Sequence, residues 1–268
     1  MLLTACRPPD RGSGLYVAHP EDWGKDLIAI YDGTFSDSDR NIRIRRAPME
    51  GHALVVNLEY PTAGRANAEI EDLLDRQLTF LLAYLERSPE ASATLVGFSQ
   101  GGCLVLDVLT RLAAREPEAL GRVSLALIAP ARGVRLGRST AVAKRMIARC
   151  SAAELTIADA VEQTGDGALA ELIHERTWIA WSCTDEIVGH DSFEVLHELV
   201  PPEHLLYRQR LHHVPWTAKD QDPSKEGEVY LASAIALAVS QGEDPREALA
   251  DYGGFDEPCS DAPKAKEE

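Results

Sequence analysis

From Asp26 onward, short apolar runs alternate with longer stretches in which apolar residues recur every three or four positions. The short runs cover residues 27–31, 53–58, 93–98, 123–128, 178–183 and 205–211. Most are apolar at successive positions, the pattern of strands buried on both faces of a parallel sheet. Between them, residues 66–87 set Ile70, Leu73, Leu74, Leu78, Leu81 and Leu82 along one helical face, and residues 100–115 do the same with Leu104, Val108, Leu109 and Leu112. Strand–helix alternation of this kind predicts an α/β fold, a doubly wound and mostly parallel sheet of about six strands.

Three segments break the rhythm. Residues 1–23 are rich in Pro, Gly and charge and read as an irregular arm, which leaves 24–242 as a single domain without internal repeats. The long interval between the fourth and fifth strands, 130–175, carries Ala-rich helical patterns and is expected to form a short helical cap over the top of the sheet. The acidic stretch 243–268 mixes Gly, Pro and charge and is expected to be a disordered tail.

Charge and cysteine content narrow the possible partners and setting. The chain carries 27 Lys and Arg against 43 Asp and Glu, a net charge of -16. That surface repels phosphate backbones and anionic lipid, which argues against a nucleic-acid partner. No apolar run approaches the ~18–20 residues a membrane-spanning helix needs. At 268 residues the chain can bury a core without a metal or disulfide staple. Its cysteines, Cys6, Cys103, Cys150, Cys183 and Cys259, are odd in number and show no paired short spacing. Cys103 and Cys183 stand in apolar stretches, where a thiol acts as a small hydrophobe. These features point to a reducing, cytoplasmic setting. Leu3-Thr4-Ala5-Cys6 has the form of a lipoprotein cleavage box, but the basic start and apolar region of about 7–15 residues that export requires are absent before it. An exported lipoprotein is the alternative if the true start lies upstream.

The chemistry concentrates at Gly97-Phe98-Ser99-Gln100-Gly101-Gly102, between an apolar strand and an amphipathic helix. A strand that turns directly into a helix strains the residue at the corner. The turn is tolerable where small residues two before and two after let the backbones pass, and the serine Oγ then projects from the top of the sheet. The helix start beneath it favours developing negative charge.

This motif resembles the nucleophile elbow of the α/β-hydrolase superfamily, and the likeness extends over roughly residues 26–241. Its variant looks like that of the carboxylesterase and acyl-thioesterase branch, and cutinases carry a similar one. The resemblance implies a Ser, acid, His order along the chain, in which the base activates the serine and the acid orients the base. Thr184-Asp185-Glu186-Ile187-Val188 resembles the superfamily's acid loop and makes Asp185 the acid, with Glu186 or Asp191 as substitutes. His212-His213-Val214-Pro215-Trp216 resembles its histidine loop. Adjacent histidines at a strand end point to opposite sides, so one of them serves, with His213 favoured and His212 the alternative base. The implied oxyanion donors are the N–H of Gln100 and the N–H of Thr34. Thr34 lies in Tyr31-Asp32-Gly33-Thr34-Phe35, where related chains often carry His-Gly-x. Asp32 departs from that pattern, because a carboxylate facing a developing oxyanion hinders the reaction. Asp-Gly-Thr also resembles a group of bacterial lipase-like proteins that includes secreted phospholipase effectors. Phe35, Phe98, Ile187, Val214 and Trp216 flank these positions and are expected to line an apolar substrate pocket.

The function so implied is hydrolysis of a small-molecule carboxylic ester or thioester through an acyl-enzyme on Ser99, without a cofactor. Two alternatives stand beside it: an acyltransferase or cyclising enzyme with the same triad, and an inactive α/β-hydrolase-fold binding protein. His190, His197 and His204 recur every seven residues, but Pro201-Pro202 would break a helix carrying all three, so they read as surface histidines. With no paired Cys-x-x-Cys and no His-Glu-x-x-His, no metal is expected. Gly253-Gly254 lies in the tail and makes no dinucleotide fingerprint. Arg43-Ile44-Arg45-Arg46 reads as an exposed basic turn or strand.

Overall fold

Seven strands form one sheet: β1 (Leu15–Val17), β2 (Leu27–Tyr31), β3 (Leu54–Leu58), β4 (Ala93–Phe98), β5 (Val123–Ile128), β6 (Thr177–Ser182) and β7 (Leu205–Arg208). The computed structural model describes residues 15–17, 22–31, 49, 51–58, 67–130, 141–164, 167–183, 194–208, 223–248, 250 and 255. Strand order is β1-β3-β2-β4-β5-β6-β7, and every neighbouring pair is parallel except β1 with β3. The chain runs from β2 outward to β3, then crosses back to place β4 on the other side of β2. Ile30 accordingly faces Asn57 on one flank and Val96 on the other. Connections leave in opposite directions from the carboxyl ends of β2 and β4, and this switch point is where open α/β sheets form their crevice.

Helices cover both faces. These are α1 (Asn67–Arg87), α2 (Gly101–Arg115), α3 (Ala141–Thr164), α4 (Ala168–Glu175), α5 (Glu194–Leu199), α6 (Pro223–Ser240) and α7 (Pro245–Ala248). On one face Leu27, Ala29, Leu95, Leu125 and Leu127 pack with Leu74 and Leu78 of α1, Leu104 and Val108 of α2, Ile157 of α3 and Leu172 of α4. On the other, Ile28, Ile30, Val96, Phe98 and Ile128 meet Ile235, Ala236 and Val239 of α6. Burial on both sides is why these strands read as continuous apolar runs.

Several expectations change. Leu15–Val17, inside the expected irregular arm, pairs antiparallel with β3, with Leu15 opposite Leu58. Three residues are too few to show periodicity, and the pairing is set by the open edge of β3. The described part of the expected cap, α3 and α4, buries Cys150, Ile157, Val161, Leu169 and Ile173 in the first-face core. It therefore belongs to the layer of helices on that face, and residues 131–140 before it lie outside the described residues. In the expected tail, α7 forms a single turn, and Phe255 packs against the second core with the Arg208 guanidinium 5.7 Å from its ring centre. Of the sixth apolar run, 205–208 is strand and 209–211 lies outside the described residues.

Cys103 is not a free apolar thiol. It is disulfide-bonded to Cys150 over a separation of 47 residues, and Cys183 is disulfide-bonded as well. Beside that bond, ion pairs join α1, α2 and α3. Arg111 reaches Asp107 at 2.7 Å and Asp75 at 3.0 Å, while Arg149 reaches Glu71 at 2.7 Å and also pairs with Asp107. Hydrogen bonds from Arg149 and then Arg111 push the Glu71 carboxyl down to about 2. At the far end of α1, Arg122 donates to the carbonyls of Leu85 and Ala91 at 3.0 Å, and to that of Ser88. It thereby satisfies the Leu85 carbonyl that the helix end leaves open and ties down the turn that follows it.

Candidate active site

Only Ser99 and Gln100 separate the end of β4 from the start of α2. Ser99 has φ 52°, the left-handed region that costs a non-glycine residue about 1–3 kcal/mol. Its N–H donates to the Ile128 carbonyl at 3.0 Å, which ties the corner to the neighbouring strand. Its own carbonyl accepts the Gly102 N–H at 3.0 Å, and the Gln100 carbonyl accepts the Cys103 N–H at 3.1 Å. Gln100 is already right-handed helical, at φ -63° and ψ -16°. Strand, left-handed corner and helix thus follow within four residues.

The close backbone passage lies between Gly97 and Gly102. A Cβ on Gly97 would stand 2.5 Å from the Gly102 Cα and 2.9 Å from its nitrogen. The expectation of small residues two before and two after is right for the first of the pair, but the second contact falls one residue later. Ala129, at the end of β5, is also left-handed at φ 44°, and its N–H donates to the Ala180 carbonyl at 2.8 Å. Two neighbouring strand ends, those of β4 and β5, therefore turn through unfavourable backbone on one side of the switch point, a concentration typical of functional sites. No sequence signal marks Ala129.

Ser99 and Gln100 are 4 % and 5 % exposed. Phe98, expected as a pocket wall, is 3 % exposed and sits in the α6-side core, because strand alternation turns it away from the first face. There it borders a void of about 10 Å³ shared with Ile30, Met49, Ile128 and Ser233. Asp185, Glu186, Ile187, Asp191, His212, His213, Val214, Trp216, Asp32, Thr34 and Phe35 lie outside the described residues. The strands that lead to them are described. β2 ends at Tyr31, β6 at Ser182 and β7 at Arg208, all parallel to β4, so the loops that follow start from the same sheet edge as Ser99.

Two of the three spaced histidines have specific contacts. His197 Nε2 lies 2.8 Å from the Tyr207 hydroxyl, whose pKa burial pushes up, and the His204 ring stacks on Trp178 at 4.2 Å. His190 lies outside the described residues. Glu154 of α3, only 1 % exposed, accepts the Leu196 N–H of α5 at 2.9 Å. A lone glutamate in an amphipathic helix gives no sequence hint of that contact. Among the described residues, no three His, Cys, Asp or Glu side chains are grouped to hold a metal ion, and no helix is long and apolar enough to cross a membrane.

No protein-family model matches the chain, and no curated protein matches it. Solved structures do resemble it. An esterase from Exiguobacterium antarcticum is 16% identical, with a TM-score of 0.47, over 82% of this chain and 95% of that one. A meta-cleavage product hydrolase from Pseudomonas fluorescens is 18% identical, with a TM-score of 0.45, over 82% and 94%. A 2-hydroxy-6-oxo-6-phenylhexa-2,4-dienoate hydrolase from a Rhodococcus species is 15% identical, with a TM-score of 0.46, over 82% and 93%. Likeness at this level says nothing of substrate or reaction. The chain's own sheet order, its helices on both faces and the Gly97–Gly102 crossing beneath a left-handed Ser99 give it the α/β-hydrolase fold.

Proposed function

We propose that this protein is a serine hydrolase that cleaves a small-molecule carboxylic ester or thioester through an acyl-enzyme on Ser99. The observation that carries the reading is the left-handed backbone of Ser99 at the carboxyl end of an inner parallel strand. An ordinary strand–helix turn needs no such strain, whereas an elbow uses it to lift a nucleophile clear of the sheet.

In this reading the Ser99 Oγ attacks the acyl carbon while its proton passes to His213, with His212 as the alternative base. Asp185 holds the imidazole and stabilises its charged form. The oxyanion of the tetrahedral intermediate meets the N–H groups of Gln100 and Thr34, backed by the 15-residue helix α2. Collapse expels the alcohol or thiol, which takes the proton from the histidine. Water then attacks the acyl-enzyme with the same base and releases the acid. Phe35, Ile187, Val214 and Trp216 suit an apolar acyl group. Neither half-reaction requires a metal or cofactor.

Labelling with a fluorophosphonate, read by intact mass and peptide mapping, tests this directly. One adduct is expected on Ser99, lost in Ser99→Ala and His213→Ala and kept in His212→Ala. Ser99→Ala is expected to keep its far-ultraviolet circular dichroism and lose ester turnover. A folded wild type without an adduct, or a Ser99→Ala variant hydrolysing at the wild-type rate, refutes the proposal.

A further inference from the structure

The Cys103–Cys150 bond meets α2 four residues beyond Ser99, in the helix's first turn. Cys103 is 0% and Cys150 1% exposed, so the bond lies inside the seam between α2 and α3. The Cys103 N–H donates to the Gln100 carbonyl, so the covalent tie enters the helix at a residue hydrogen-bonded to the elbow itself. One turn farther along, Asp107 pairs with Arg149, the neighbour of Cys150. α2 is therefore fastened to α3 covalently at its elbow end and ionically beyond it.

The elbow needs such a fastening. Ser99 holds a left-handed conformation, and strain of that kind persists only where the surroundings over-determine it. The crossing beneath it is made by Gly97 and Gly102, which bring no side chains to interlock. A bond from Cys103 to α3 limits how far the first turn of α2 can slide to release the strain.

We propose that the Cys103–Cys150 disulfide positions the elbow, so that turnover at Ser99 depends on this bond and the chain reaches its working form in an oxidising environment. The inference rests on the serine-hydrolase reading above. The bond is a permanent staple and not a rapid switch, because a reductant reaches it only when the seam opens. When dithiothreitol does so, the sulfur–sulfur bond breaks and each cysteine gains one electron and one proton. The reagent's two thiols lose the same two electrons and two protons and close into a cyclic disulfide.

The test uses the full chain and a p-nitrophenyl butyrate assay. Alkylation of the unfolded, unreduced protein should leave Cys103 and Cys150 unmodified, and reduction should expose both. Cys150→Ala removes the bond without touching α2. It should lower kcat roughly 10-fold with KM within about twofold, the signature of disturbed transition-state contacts. Reduced wild type should show the same fall or a larger one, and because Cys183 is disulfide-bonded as well, Cys150→Ala given the same reductant is the control: the loss it does not share belongs to Cys103–Cys150. If Cys150→Ala does not fold, the rate of fluorophosphonate labelling is followed in wild type against the fraction of the bond reduced, while circular dichroism stays native. With the two bonds followed separately by peptide mapping, a labelling rate that falls with Cys103–Cys150 supports the proposal, and one that falls only with the Cys183 bond overturns it. Equal labelling of oxidised and reduced protein overturns it and leaves the serine-hydrolase reading standing, as does a folded Cys150→Ala with wild-type kcat. Oxidised wild type that takes no adduct refutes that underlying reading instead.

Discussion

Gly97→Ala tests the elbow without touching a group that reacts. Its new methyl would lie 2.5 Å from the Cα of Gly102, 2.9 Å from the Gly102 nitrogen and 3.1 Å from Leu127 Cδ2. Leu127 can rotate aside, but the other two atoms are backbone. Carbon atoms settle at about 3.5–4.0 Å, so the end of β4 and the first turn of α2 must part by about 1 Å. β4 cannot retreat, because Gly97 is paired between Tyr31 and Leu127 in the middle of the sheet, so the helix moves. Overpacking on this scale costs about 1–3 kcal/mol against a total stability of about 5–15 kcal/mol, and the variant should still fold. A shift of about 1 Å in the turn bearing Ser99 and Gln100 should lower kcat about 100-fold. Gly121→Ala is the control. A Cβ there meets nothing within 4 Å, and its stability should stay within about 0.5 kcal/mol of wild type. Urea unfolding followed by tryptophan fluorescence gives the first quantity and p-nitrophenyl butyrate turnover the second. A Gly97→Ala protein with wild-type midpoint and wild-type kcat would show that the chains do not cross as described.

Three other consequences are open to measurement. Replacing Arg122 by Met should cost about 1–3 kcal/mol in urea unfolding, because it strips the carbonyls of Leu85, Ser88 and Ala91 of their shared donor. An unchanged midpoint would mean that water serves them equally well. Removing the Cys103–Cys150 bond releases a loop of 47 residues and should lower the unfolding free energy by about 4 kcal/mol. A loss under about 1 kcal/mol would leave the constraint without thermodynamic weight. Glu71 is ionised more readily in the folded protein than in the unfolded chain, so its contribution to stability is full above pH 4.5 and is lost as pH falls toward about 2. Because it is half exposed, the effect should stay under about 1 kcal/mol. The stability gap between wild type and Glu71→Gln should close over that interval, and a gap constant with pH would contradict the assignment.

What could be read from the residues follows physical rules. β2, β4 and β5 begin and end where their apolar runs do, since burial on both faces leaves little room for a polar residue. The strained corner at Ser99 was legible because its strand, its glycines and its helix are contiguous in the chain. Gly102 as the true crossing partner was not, because the choice between Gly101 and Gly102 depends on the helix's rotation. Cys103 and Cys150 bear no mark of pairing, being 47 residues apart on separate helices. The packing of α3 against the first face was not legible for a related reason. An Ala-rich amphipathic pattern reports one apolar face but not which surface that face meets. Asp185, His213 and Thr34 rest on the resemblance of their loops, because residues so far apart in the chain carry no local mark of meeting.

The antiparallel strand β1 has a further importance for handling the protein. Its three residues hydrogen-bond along Val56–Leu58 and close the outer edge of β3, whose sequence Leu54-Val55-Val56-Asn57-Leu58 is short, apolar and rich in β-formers. An uncovered strand of that composition is a template for a strand from another molecule. A chain shortened to begin at Lys25 would keep Ser99 and its helix, yet it would carry this bare edge into solution. Such a fragment should gather into larger oligomers on a sizing column than the longer chain does, so Leu15–Val17 act as a guard against self-association.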